Sequence, residues 1–165
     1  MRGMSGKRKT AFYGMFLSLA LICSYVESLI PFYFGVPGMK LGLANLVVVI
    51  MLYLAGPKEA FLISVLRILL AGFLFGNLFG ILYSLGGGCL SFAAMLLLQK
   101  SKKFSVVSVS VLGGICHNIG QLSVASLTVE NYHVFYYAPA LLLAGFVTGF
   151  LIGALAKEVI CRMPE

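Results

Sequence analysis

The chain has 165 residues, 61% of them hydrophobic and 10% charged, with a net charge of +7 and a mean hydropathy of +1.03. Soluble domains carry about one quarter charged residues, so this composition specifies one integral membrane domain over residues 1–165 and excludes a pair of soluble domains. The basic residues are scattered between apolar runs with no aromatic-interleaved basic face, which excludes nucleic acid as the partner of the positive charge.

Six apolar segments follow in chain order, at 10–30, 41–55, 59–75, 77–99, 105–127 and 134–156. A helix needs about 20 mainly apolar residues to cross a bilayer, so the second and third are short. The first follows Arg2, Lys7, Arg8 and Lys9 and is read as a retained helix, because its run is longer than a leader's core and includes Glu27. Turn-forming residues separate the segments: Pro31, Pro37 and Gly38; Gly56 and Pro57; Gly76 and Asn77; the run from Lys100 to Lys103; Glu130 and Asn131. Gly72, Gly76 and Gly80 leave a second reading open, in which the third and fourth segments form one kinked helix.

Lysine and arginine decide between the two counts. With six crossings and a cytoplasmic N-terminus, the inside receives Arg2, Lys7, Arg8, Lys9, Lys58, Lys100, Lys102, Lys103, Lys157 and Arg162, and the outside only Lys40. That bias obeys the positive-inside rule, whereas merging two segments would send Lys100, Lys102 and Lys103 to the side opposite Lys58. The expected fold is an all-α bundle of about six transmembrane helices with both termini cytoplasmic.

This topology gives each intramembrane polar residue a depth. Glu27 falls near the outer end of the first helix, Asn45 at the outer start of the second just after Lys40, and Arg67 near mid-membrane in the third. Asn77 and Tyr83 open the fourth helix from the outside, and His117, Asn118 and Gln121 share a broad face of the fifth. All lie at the midplane or in the outer half, while the inner halves are mostly Leu, Val, Ala, Phe and Ser. A polar group without a partner in hydrocarbon costs several kcal/mol, so these groups must meet one another, water or a ligand. Arg67 either pairs with Glu27 as a structural ion pair or faces an anionic ligand. His117, Asn45, Asn77 and Lys40 each have a plain structural alternative as helix contact, cap or headgroup anchor. Their collection at one depth points to a polar cavity that opens outward.

Small residues form a second theme. Gly145, Gly149 and Gly153 recur every four residues on the last helix, Gly86, Gly87 and Gly88 interrupt the fourth, and Gly14 and Ser18 repeat the spacing on the first. Such positions let helices approach closely, either inside the chain or against another membrane subunit. Cys23, Cys89, Cys116 and Cys161 have no close-pair spacing and are read as small hydrophobes. No histidine–carboxylate cluster demands a metal, and no cofactor is expected.

Several of these stretches carry a family likeness. PGMKLGLANL, GPKEAFLISVLRILLAGFLFG, YSLGGG and SVLGGICHNIGQL resemble the bacterial membrane family labelled heptaprenyl diphosphate synthase component I, also called Gx transporter, from about Ser18 to Gly153. The family is similar in fold to the substrate-binding S subunits of energy-coupling-factor (ECF) transporters, which are six-helix bundles of the bacterial cell membrane. The resemblance implies a small solute held near the outer side, a coupling transmembrane subunit docked on small residues of the first helix (here Gly14 and Ser18), and cytoplasmic ATPases that power import. The lining would comprise Glu27, Arg67, His117, Asn118 and Gln121, with Asn77 and Tyr83 nearby and Lys40 and Asn45 at the mouth.

The two family labels imply different chemistry. Prenyl-chain elongation uses metal ions that bridge diphosphate to aspartate-rich motifs. This chain has no aspartate; its glutamates Glu27, Glu59, Glu130, Glu158 and Glu165 are dispersed, and it carries no phosphate-cradling P-loop. A catalytic synthase is therefore disfavoured, and a non-catalytic accessory component of isoprenoid or quinone metabolism is the alternative expectation.

Overall fold

A computed structural model describes residues 6–29, 42–130 and 132–163. Among them are six α-helices: α1 (Gly6–Leu29), α2 (Leu43–Leu54), α3 (Pro57–Phe75), α4 (Leu78–Ser101), α5 (Val106–Val129) and α6 (Ala138–Arg162), with a short 3-10 helix (Tyr132–Tyr137) before α6. Arg2 and Lys40 lie outside the described residues.

Local chemistry sets the helix ends. Gly56 adopts φ 113°, a conformation that favours glycine, and Pro57 then opens α3 with its ring pre-set for a first helical turn. Gly76 and Asn77 separate α3 from α4, and Asn77 caps α4 by accepting the Gly80 N–H at 2.7 Å. The third and fourth segments are thus two helices rather than one kinked one. Ser105 caps α5 in the same way through the Ser108 N–H at 3.2 Å.

Four helices are long and apolar enough to cross a membrane by length and composition: α1, α4, α5 and the segment that contains α6. α3 has 19 residues but carries Lys58, Glu59 and Arg67. α2 has only 12 residues, about 18 Å of helix, and is shorter than the hydrocarbon core. Its position explains how it is tolerated. Val47, Val48, Val49, Ile50, Met51 and Leu52 are all buried, so α2 is enclosed on every side by its neighbours. A helix that is apolar all round belongs inside a bundle. Around it pack Phe16 and Ala20 of α1, Ala60 and Ile63 of α3, Phe92 and Met95 of α4, Val109 of α5, and Ile152 and Ala156 of α6.

The outer surface is apolar as well. Phe73, Leu97, Leu127 and Leu143 are among many large side chains left exposed. A surface of this kind suits lipid and would be an aggregation hazard in water. Lys7, Arg8, Lys9, Lys58, Lys100, Lys102, Lys103, Lys157 and Arg162 lie at the start of α1, the α2–α3 and α4–α5 junctions, and the end of α6. They mark one end of the bundle as basic.

Glycine brings α4, α5 and α6 together. A Cβ on Gly120 would stand 2.6 Å from the Gly86 carbonyl oxygen and 2.9 Å from Gly87 Cα, so α4 and α5 touch backbone to backbone. α5 and α6 meet in the same manner: Gly114 faces Gly145 and Gly149, and a Cβ on Gly153 would lie 2.7 Å from Val107 Cα. The order of these contacts makes the three helices successively antiparallel. Gly145, Gly149 and Gly153 are therefore used for internal packing. Gly14 differs: a Cβ there would meet nothing within 4 Å among the described residues, and both Gly14 and Ser18 are exposed on α1.

Candidate functional site

The end of the bundle away from the basic residues is hollow. A cavity of about 200 Å³ is walled by the last turns of α1 (Ser24, Glu27, Ser28), the start of α2 (Gly42, Asn45), the second half of α3 (Arg67, Gly72, Phe75), α4 (Gly80, Ser84, Ser91), α5 (Ser110, His117, Asn118, Gln121) and α6 (Thr148, Gly149). Helical periodicity builds each wall. Ser24, Glu27 and Ser28 share one face of α1, and Ser110, Gly113, Gly114, His117, Asn118 and Gln121 form one face of α5. Glycine keeps that wall thin: Gly87 of α4 sits against Gln121 and His117, where a Cβ would come within 2.6 Å of Gln121 Cγ.

The short α2 shapes the mouth. Its first turn begins at Gly42, which has φ 73° and offers no side-chain cap. Glu27 supplies the missing acceptor, since its Oε1 receives the Leu43 N–H at 2.7 Å. A carboxylate there also complements the positive end of the helix dipole. Further along the wall, Arg67 is 9% exposed and donates from Nη2 to Asn45 Oδ1 at 3.1 Å. Glu27 thus caps α2 while Arg67 is tied to the first turn of the same helix. Asn118 donates through Nδ2 to the Leu141 carbonyl at 2.6 Å, which ties α5 to α6 while the residue still lines the cavity.

Some lining groups are left with nothing to bond. Ser24 Oγ, Arg67 Nε and Gln121 Nε2 are buried and have no hydrogen-bond partner among the described residues. Such atoms are uncommon in native proteins, because a donor buried without a partner costs about 1–3 kcal/mol. Their presence around one hollow is the expected signature of a site that an occupant completes.

Of the residues singled out in the sequence, Glu27, Asn45, Arg67, His117, Asn118 and Gln121 come together here. Asn77 does not line the cavity; its side chain is committed to the α4 cap. Tyr83 is also outside the lining and stacks on Phe79 at a ring separation of 6.2 Å. Lys40 lies outside the described residues. The hydroxyls of Ser28, Ser84, Ser91, Ser110 and Thr148 belong to the lining and were not singled out. Their helical spacing carried a signal, for Ser84 and Ser91 are seven apart on α4, as are Ser110 and His117 on α5.

The lining combines charge, hydroxyl and amide groups. Its charged members among the described residues are Glu27 and Arg67, set among hydroxyls and amides. No group of three His, Cys, Asp or Glu side chains among the described residues is placed to hold a metal ion. The four cysteines are free.

Fold and cavity together define a helical multi-pass membrane protein with a polar chamber enclosed by its helices. The chain belongs to the heptaprenyl diphosphate synthase component I family, whose model matches residues 16–159. Searches of curated proteins and of solved structures returned no match.

Proposed function

We propose that this chain is a non-catalytic, solute-capturing membrane subunit of the energy-coupling-factor S type, which takes up a small molecule from the outer side of the bacterial cell membrane. The observation that carries this reading is the polar cavity of about 200 Å³ at the end of the bundle opposite the basic residues. The positive-inside rule assigns the basic end to the cytoplasm and so turns the cavity outward. On this reading a coupling subunit docks on α1 at Gly14 and Ser18, where the surface is open, and ATPases drive the change that releases the solute inward. Such a change is limited by the difference in affinity between the two states.

Native mass spectrometry of protein extracted in mild detergent tests the reading. The expected result is a bound small molecule that Arg67→Ala loses while the protein keeps its helical content and monodispersity. Equal retention by parent and variant would remove Arg67 from the site.

A second reading is favoured by the family's name and by a separate feature. An open apolar groove lies between α5 and α6 near the basic end, lined by Leu98, Phe104, Val107, Val111, Ile115, Phe146 and Phe150. Lys102 and Lys103 immediately precede Phe104 in the chain. A prenyl chain in this groove with its diphosphate at the lysines would suit an accessory component of a prenyl synthase. Photo-crosslinking with a prenyl diphosphate probe decides the point: labelling of Phe146 or Phe150 peptides supports it, and labelling confined to the polar cavity does not.

A further inference from the structure

We infer that the captured solute is a compact monocarboxylate with a second oxygen acceptor at its far end, held at two points by Arg67 and Gln121. This rests on the solute-capture reading and narrows it to a class of ligand.

Two buried nitrogen donors of the lining, one on Arg67 and one on Gln121, have no partner among the described residues. Arg67 is nine-tenths buried and satisfies Nη2 on Asn45, yet its Nε has no partner among the described residues. Gln121 is 2% exposed, and its Nε2 likewise has none. Both side chains line the same hollow, from α3 and α5 respectively. Because both atoms are donors, an occupant that satisfies them must bring acceptors. A guanidinium prefers a carboxylate, to which it can present parallel N–H groups. The amide of Gln121 is neutral and suits a carbonyl, hydroxyl or ether oxygen.

The start of α2 strengthens the anionic end of the site. Asn45, the partner of Arg67, lies in the first turn of that helix, so the positive end of its dipole adds to the guanidinium. The same neighbourhood limits the charge it can take. Glu27 already places one carboxylate on the Leu43 N–H, and Arg67 is the positive counterpart within the described lining. Among the described residues of the lining, Arg67 is the one side chain with a fixed positive charge to set against the two or more negative charges that a diphosphate would bring into a low-dielectric chamber.

Size sets the last condition. The cavity, about 200 Å³, is larger than the roughly 150 Å³ cavity that accepts a benzene ring. It falls below the roughly 300–1,000 Å³ of pockets for drug-sized ligands. An acid of a few carbons fits, and a polyprenyl chain does not.

Three probes and two variants test this in detergent-solubilised full-length protein. N-acetylglycine has a carboxylate and a second acceptor, N-acetylglycinamide lacks the charge, and inorganic diphosphate over-supplies it. Thermal unfolding is expected to shift upward with N-acetylglycine and to remain unchanged with the other two. The co-purifying solute, identified by mass, is expected to contain a carboxylate. Arg67→Lys keeps the charge but loses the planar fork and should weaken acid binding roughly 10- to 100-fold. Gln121→Leu removes an unpaired buried donor, so the variant should melt no earlier than the parent while binding the acid about 10-fold or more weakly. Earlier melting of Gln121→Leu, undiminished acid binding by either variant, or better stabilisation by the amide or diphosphate would overturn the two-point assignment. A retained solute without a carboxylate would overturn the ligand class and leave solute capture standing. A protein that retains nothing and is stabilised by none of the probes would overturn capture itself.

Discussion

Asn77 and Asn118 show how the same side chain can serve two ends. Asn77 precedes the first residue of α4 and accepts the Gly80 N–H, whereas Asn118 lies within α5 and donates to the Leu141 carbonyl. Asn77→Ala should cost about 1 kcal/mol of stability, as loss of an N-cap does, and leave solute retention unchanged. Thermal unfolding and native mass spectrometry of one preparation check both halves. Asn118→Leu should cost a similar amount, about 1 kcal/mol, and also weaken solute binding, because this residue faces the cavity. Arg67 and Gln121 were legible in the sequence because a charge or an amide in an apolar run needs a reason. The cap formed by Asn77 was legible as the structural alternative to a place in the lining, but depth alone did not decide between the two, because a cap is a local bond. Nor did the hydroxyls stand out: Ser123, Thr128 and Thr148 each bond a carbonyl four residues back on their own helix. A serine or threonine can satisfy itself in this way, so its presence in a span says little about a cavity.

At the level of helices, repeated small residues proved ambiguous in a physically sensible way. The four-residue spacing on α6 and that on α1 look alike, yet the first is filled by α5 and the second faces outward. Spacing specifies that something can approach closely and does not specify what. Gly120→Val should therefore lower stability by about 1–3 kcal/mol, because the atoms in its way are backbone and cannot swing aside. On the proposed reading, Gly14→Leu should leave thermal unfolding unchanged and abolish co-purification with a coupling subunit; an unaltered complex would remove α1 as the docking surface. The apolar run of α2 marked it as a span, but its burial could not be read from that run, since a lipid-facing helix is equally apolar. The short length of α2 was only partly readable, since where a helix starts depends on Gly42 turning the chain and on Glu27, sixteen residues away, supplying the cap.

Across the whole molecule, an apolar interior toward the basic end adjoins a polar one toward the other end, and the two share Val49, Met95 and Ile152. The core around α2 occupies one region, and the hydroxyls, amides and the Glu27 and Arg67 charges surround the other. The helical class could be read from hydropathy because lipid tolerates few other arrangements. The orientation expected from the basic end can be checked with Cys161, which is exposed near the end of α6. A membrane-impermeant maleimide should label it in inside-out vesicles and not in intact cells. Labelling from outside would reverse the topology and close the cavity to extracellular solutes.

The glycine contacts among α4, α5 and α6 have a mechanical consequence. Where main chains already touch, there is no slack to take up, so this wedge should act as a stator while α1, α2 and α3 shift against it. Saturation mutagenesis would then draw a map with two textures: a wedge in which added atoms are refused almost everywhere along the seam, and a flank in which many replacements survive folding yet alter how fast a guest enters or leaves.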